Sequence, residues 1–174
     1  MFPLWSLFKL VINIGLIGYQ NHAQHLITLV EKHTKTKLKY IFHPSKKIND
    51  DRGTNDFSAL FSCDAVIIAS PNNTHTYYIE KLKKFEGYIF CEKPPSVSIK
   101  EFNLLKKIRK KKREKIFFNF NYRFSKLSDL IRKIRNTNEI GSILNIDIKS
   151  THGLAYQKKY LNSWRANGNN NKHN

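Results

Sequence analysis

Asp64-Ala65-Val66-Ile67-Ile68-Ala69-Ser70-Pro71-Asn72-Asn73 decides the fold. Five apolar residues in succession, β-branched at the centre, are what a strand covered on both faces requires, and Pro71-Asn72-Asn73 stops it. A helical pattern follows, with Tyr78, Leu82 and Phe85 on one side, and Gly87 is expected to end it. Tyr88 to Cys91 reads as the next strand. The same alternation runs upstream. Leu10 to Ile17 is a nearly continuous β-branched run that breaks at Gly18, and Ala23, Leu26, Ile27 and Val30 then share a helix face. Leu38 to Phe42 is a short strand closed by Pro44. Residues 45–56 are polar and turn-rich, and Asp56 can cap a short helix through Phe61.

Downstream, Ser98-Ile99-Lys100-Glu101 has capping-box spacing and opens a helix expected to bury Phe102, Leu105 and Ile108. Ile116 to Phe120 is another strand, and Leu127, Leu130, Ile131 and Ile134 form an i, i+3, i+4, i+7 stripe. Strand and helix in regular succession imply the α/β class and a doubly wound parallel sheet. The period changes at Ile143, where Leu144, Ile146 and Ile148 alternate with Asn145, Asp147 and Lys149. That pattern predicts a strand with one wet face, the first strand of a truncated second α+β domain. The expected organisation is an extension over 1–9, a nucleotide-binding domain over 10–124, the start of a second domain over 125–166, and a disordered Asn-rich tail over 167–174.

With 40% hydrophobic and 13% aromatic residues the chain can bury a core, which excludes collagen-like and wholly disordered classes. Lys and Arg number 31 against 13 Asp and Glu, a net charge of +18. Such a balance fits nucleic-acid binding or solvated helix faces. The densest run, Lys106 to Lys115, ends an amphipathic segment, where cations suit a helix C-terminus, and this favours the second reading. No apolar run reaches the roughly 18 residues of a membrane span, and residues 1–10 lack the basic start of a secretion signal. Cys63 and Cys91 border apolar runs and read as buried, reduced thiols of a cytoplasmic protein. His22 and His25 are spaced for a metal pair, but no further ligand lies near them.

Three loops fall at the carboxyl ends of the predicted strands, where ligands of doubly wound sheets bind. Gly18-Tyr19-Gln20-Asn21-His22-Ala23 occupies the place of the dinucleotide fingerprint G-x-G-x-x-G/A, which sets a pyrophosphate on a helix N-terminus. Gly18 fits the turn and Ala23 the third place. Gln20 stands where a backbone normally approaches the phosphates. Its side chain points away, or the phosphates shift, or binding is weak. The second loop lacks the acid that an NAD site places about 20 residues past the glycines. No Asp or Glu lies between Glu31 and Asp50; the loop reads His43-Pro44-Ser45-Lys46-Lys47 instead. A hydroxyl and two ammonium groups suit a 2′-phosphate, or are surface side chains, and NADP is favoured over NAD.

The third loop carries a resemblance. Asp64 to His75, followed beyond one helix by Cys91-Glu92-Lys93-Pro94, resembles the Gfo/Idh/MocA oxidoreductases, the glucose–fructose oxidoreductase and inositol dehydrogenase relatives. Their mark is a D-x-V-x-I-x-(T/S)-P-x-x-x-H strand and loop and a later E-K-P. Asn119-Phe120-Asn121-Tyr122-Arg123-Phe124 resembles their next segment, Glu139-Ile140-Gly141 the crossing into their second domain, and Trp164-Arg165 their W-R. The resemblance implies a Rossmann-type, NAD(P)-dependent oxidoreductase that moves a hydride to or from a sugar, sugar nucleotide or polyol. It also implies that Ser70, Pro71, Asn72 and His75 line the cofactor cleft, with Arg123 among the cofactor contacts. Glu92 and Lys93 then sit beside the nicotinamide, and catalytic Lys93 polarises the substrate hydroxyl. His75 can equally cap the following helix, and Glu92-Lys93 can equally be a surface ion pair.

In that family a second domain carries a D-x-G-x-H-x-x-D segment whose Asp and His handle protons, and it also mediates dimerisation. Here no acid follows Asp147. The expectation is therefore a truncated form with little turnover, and a homo-oligomer only if that domain is restored. Two alternatives stand beside it: a non-catalytic Rossmann-fold module that has lost its cofactor, and a basic nucleic-acid-binding protein.

Overall fold

The computed structural model describes residues 11–20, 22–45, 47–138 and 140–149, together with 158, 161, 162 and 166. The readings that rest on Asn21, Lys46, Glu139, Trp164, Arg165, the extension over 1–9 and the tail over 167–174 lie outside these residues.

The strands are β1 (Ile12–Ile17), β2 (Thr36–Phe42), β3 (Gly53–Thr54), β4 (Ala65–Ile68), β5 (Tyr88–Glu92) and β6 (Ile116–Asn119). They form one sheet in the order β3-β2-β1-β4-β5-β6, and every pair is parallel. The order reverses between β1 and β4, which opens a crevice at their carboxyl ends. Helix α1 (His22–Lys32) buries Ala23, Leu26, Ile27 and Val30 against Ile14, Leu16, Leu38, Ile41 and Ile67 on one face of the sheet. On the other face α2 (His75–Lys81) packs Tyr78 and Ile79 against Ile17, Val66, Ile68, Ile89 and Cys91. Alternation along each strand divides the apolar run of β4 between two cores, Ile67 to one and Val66 and Ile68 to the other.

Several local expectations change. Helix α2 ends at Lys81, well before Gly87, because Leu82 is drawn into the core and its amide completes the last turn on Tyr78 O. Asp56 does cap the following segment, accepting from Ser58 N, but Phe57–Ser62 winds as a 3-10 helix. In α3 (Ile99–Lys107) the Ser98 hydroxyl accepts from Glu101 N, while the Glu101 carboxylate accepts from Val97 N, one residue before the cap. Phe102 is 52% exposed rather than buried; Leu105 and Ile108 turn inward.

The basic run behaves differently from a solvated helix end. Lys110–Arg113 forms its own short helix, α4, and the half-buried Lys112 ammonium donates to Phe85 O and Gly87 O and lies over the Phe85 ring. Lys115 donates to Glu86 O. These cations hold the turn that enters β5.

Phe120–Gly168 is a second compact unit. Its helix α5 (Lys126–Thr137) starts at Ser125, whose hydroxyl accepts from Ser128 N, and stops at Asn138 in the left-handed conformation. None of its residues is buried, and Leu127 and Leu130 are more than half exposed. The strand expected from Ile143 does not form: residues 143–149 are exposed coil. Alternating side chains alone do not make a strand, which needs a partner to take its hydrogen bonds, and no described residue pairs with this segment.

Candidate dinucleotide site

The site is built where β1, β4, β5 and β6 end. β1 closes on Gly18, whose φ of +109° is a left-handed value that disfavours a side chain. Its amide donates to Phe42 O on β2, and a Cβ at this position would lie 2.6 Å from Ala69 O at the end of β4. The first turn after β1 is thus pressed against the loop after β4, and only glycine fits. Gln20 is exposed, and its carbonyl accepts from Ala23 N to start α1. Ala23 is fully buried. The first turn of α1 carries no acid, so its positive end is not neutralised from within. Tyr19 leans away, packing on the α1-side core with its hydroxyl 3.4 Å from Asn49 O.

The loop after β2 stands at the second expected position. His43 N donates to Thr54 O, Asn55 donates to His43 O, and Ser45 N reaches His43 Nδ1; Ser45 is exposed. Asp50, the first acid beyond Glu31, is committed to Arg52 by hydrogen bonds of 2.7 to 2.9 Å from the guanidinium and the backbone. Arg52 also pairs with Glu31 at 2.6 Å. These bonds from Arg52 hold the Asp50 carboxyl below the usual carboxylate range.

After β4, the Ser70 and Thr74 hydroxyls are 2.7 Å apart, and Thr74 donates to Pro71 O. His75 is fully buried, with Nδ1 2.7 Å from Pro94 O and Nε2 3.0 Å from Ser70 O. It neither caps α2 through its side chain nor reaches a surface. It ties the β4 loop to the turn after β5, which makes it a positioning residue. Pro71 is exposed and Asn72 half-buried at the mouth of that loop.

Glu92 ends β5, beside Asn119 in the register of β6. Phe90 packs on the α1-side core, and alternation puts Glu92 on that same face. Glu92 is 8% exposed; its Oε1 accepts from Asn119 Nδ2 at 2.7 Å and lies 2.8 Å from His22 Nε2. The reading of Glu92-Lys93 as a surface ion pair is corrected: Glu92 faces His22 and Asn119, and Lys93 is exposed beyond it. The Lys93–Pro94 bond is cis. Sequence reasoning missed the Glu92–Asn119 contact, and period-2 alternation across two adjacent strand ends was the available signal. Arg123 lies in the second unit, in a 3-10 turn with its carbonyl accepting from Arg132.

Among the described residues no cluster of His, Cys, Asp and Glu can hold a metal. Cys63 and Cys91 are buried, and burial pushes the Cys91 thiol far above its usual range, which suits an inert, reduced side chain. Among the described residues no helix is long and apolar enough to cross a membrane.

Known proteins share this fold and part of this sequence. Over 109 residues the chain is 27% identical to a glucose-6-phosphate 3-dehydrogenase of Bacillus subtilis, covering 63% of this chain and 31% of that protein. It is 29% identical over 110 residues to an inositol 2-dehydrogenase of Rhizobium meliloti, covering 63% and 33%. The chain therefore spans about a third of the length of the curated relatives it matches. The solved scyllo-inositol dehydrogenase of Lactobacillus casei shares the fold with a TM-score of 0.67 and 22% identity, over 78% of this chain and 44% of that one. Residues 12–120 match the family described as "Oxidoreductase family, NAD-binding Rossmann fold", and the chain belongs to this Gfo/Idh/MocA family.

Proposed function

We propose that this chain is the cofactor-binding part of an oxidoreductase that exchanges a hydride between a nicotinamide dinucleotide and a carbon of a sugar, sugar nucleotide or polyol. The observation that carries this is Lys93. It leaves the sheet at the carboxyl end of β5, the strand next to β4, directly after Glu92, a buried carboxylate anchored to the first residue of α1. When bound, the dinucleotide supplies the hydride acceptor at its nicotinamide ring. The chain's residues contribute binding and polarisation: Gly18 lets the turn close, the acid-free start of α1 suits phosphates, and the Lys93 ammonium donates to and polarises the substrate hydroxyl. Ser70, Pro71 and Asn72 form the opposite lip, with His75 holding it in place.

NADP fits better than NAD. The end of β2 offers His43 and Ser45, while Asp50, the nearest acid beyond it, is tied to Arg52. The inositol 2-dehydrogenase of Rhizobium meliloti, 29% identical over 110 residues, supports a polyol as the substrate class. The buried thiols fit a reducing, cytoplasmic compartment. Fluorescence titration with NADPH and NADH tests the reading. NADPH should saturate at about tenfold lower concentration than NADH, the discrimination expected of charge-assisted contacts to one phosphate. No saturation by either up to millimolar cofactor removes it.

A second reading, a module without cofactor, is favoured by one observation: Gln20 at the place of the second glycine. Under it, Gln20→Gly should create or tighten NADPH binding; unchanged or weaker binding counts against it.

A further inference from the structure

His75 opens α2, is fully buried, and turns each ring nitrogen to a backbone carbonyl: Nδ1 lies 2.7 Å from Pro94 O and Nε2 3.0 Å from Ser70 O. A carbonyl oxygen can only accept, and a neutral imidazole has one N–H to give. Neutral His75 therefore bonds one of the two segments and presents a lone pair to the other. Only the doubly protonated ring donates to both at once. The shorter contact places the single proton of the neutral ring on Nδ1, which leaves Ser70 O opposite an unprotonated Nε2.

We propose that His75 is a proton-operated clamp: a proton taken up at Nε2 fastens the Ser70–Thr74 loop to the turn after β5, and its loss frees the loop. The step is an acid–base one. The Nε2 lone pair takes a proton from solvent, and the new N–H donates to Ser70 O. The Thr76 hydroxyl donates to Pro95 O at 3.3 Å, a second tie from α2 to the β5 turn that no proton affects. The β5 turn thus stays attached to α2 at every pH, and the β4 loop is the part released. Ser70 pairs with Thr74 through their hydroxyls, and Thr74 donates to Pro71 O, so a change at Ser70 O reaches the whole loop. The clamp does not depend on a bound dinucleotide.

The surrounding charges leave the proton to these two carbonyls. The strand and loop over 65–74 carry no titratable side chain. From β5 and its turn come Cys91, whose thiol burial keeps neutral, Glu92, bonded to His22 and Asn119, and Lys93, which is exposed. On α2 itself, Tyr77 and Lys81 lie against each other at the surface, burial raises the Tyr78 pKa, and Glu80 is half-buried. Packed beside α2, α3 adds the exposed Lys100 and Glu101, which accepts from Val97 N. Among the described residues none of these groups bonds the ring. A buried imidazolium gives up its water, and the positive end of α2 opposes it, so the second hydrogen bond is what holds the proton.

The test follows the His75 ring in the nitrogen-15-labelled full chain by long-range proton–nitrogen correlation, between about pH 8 and about pH 5.5. Hydrogen exchange of the Thr74 and His75 amides, which donate to Pro71 O and Asn72 O, is read alongside as protection factors. At the alkaline end Nδ1 alone should carry a proton, and at the acid end both nitrogens should. Over the same interval the two amides should gain about tenfold in protection, the worth of one charge-assisted hydrogen bond. His75→Gln, whose side-chain amide does not titrate, should show protection that is flat with pH and equal to that of wild type in alkali. A ring that keeps one protonation state throughout, a titration with no change in protection, or a His75→Gln variant that gains protection in acid as wild type does each overturns the clamp. If His75→Gln does not fold, as judged by circular dichroism, His75→Asn takes its place, and the wild-type titration decides the first two outcomes by itself.

Discussion

Replacing Gly18 with alanine would put a methyl group 2.6 Å from Ala69 O, on a backbone with φ of +109°. The three nearest atoms, Ala69 O, Ala69 C and Ser70 N, are all backbone, so the β1 and β4 loops must move apart. The strained dihedral and the clash together should cost about 3 kcal/mol, read as a lowered midpoint in urea with an unchanged slope. A loss under about 0.5 kcal/mol would show that the two loops are not pressed together as described. This glycine was legible in the sequence because a strand ending on a turn before a helix demands one there. His75 and Glu92 were legible only as motif members. Their partners, Pro94 O and Ser70 O for one, His22 and Asn119 for the other, come from segments up to 70 residues apart. Local alternation gives the face on which each strand end presents its side chain, and the strand order decides which ends meet.

Helices and strands were readable wherever one apolar face had somewhere to go. β1, β2, β4 and β5, with α1 and α2, follow the hydrophobic period because two cores receive them. The pattern misled where burial and hydrogen bonding were not supplied, as at Phe102 and over 143–149, whereas α5 forms where its stripe predicts a helix although none of its residues is buried. The basic run misled for the opposite reason, since a cation was given a buried task. Desolvation lowers the Lys112 pKa, with Lys115 acting in the same direction and Glu86 opposing. Its bonds to Phe85 O and Gly87 O keep the turn into β5 closed nevertheless. Lys112→Ala should therefore destabilise by about 1 kcal/mol, while Lys107→Ala and Lys111→Ala on the exposed side stay within about 0.5 kcal/mol. Three equal melting curves would return the whole run to the solvated surface.

A net charge of +18 on 174 residues sets how the whole chain responds to its solution. Self-repulsion destabilises the compact state, and salt screens it over about 10 Å at 0.1 M. Acid makes matters worse, because carboxylates that temper the charge become protonated. Asp50 is one whose contribution has a definite sign. Its folded pKa is depressed by Arg52, so the stability it gives is present above the unfolded value near 3.9 and is lost as pH falls through the folded value. The melting temperature should hold steady from neutral pH down to about 5 as far as this group is concerned and fall below about 4. Added chloride should raise it throughout, most strongly at the acid end. Arg52→Gln, which frees Asp50 and Glu31, should lower the neutral-pH melting temperature and flatten the acid fall, since nothing then depresses the Asp50 pKa. A variant that melts below wild type by the same margin at pH 3 as at pH 7 would place its effect in packing rather than in the Asp50 charge. Cofactor binding should respond to chloride in the opposite direction, weakening as the field that attracts a multiply charged anion is screened. A protein that both melts higher and binds less NADPH in salt is the joint signature expected of a basic nucleotide-binding fold.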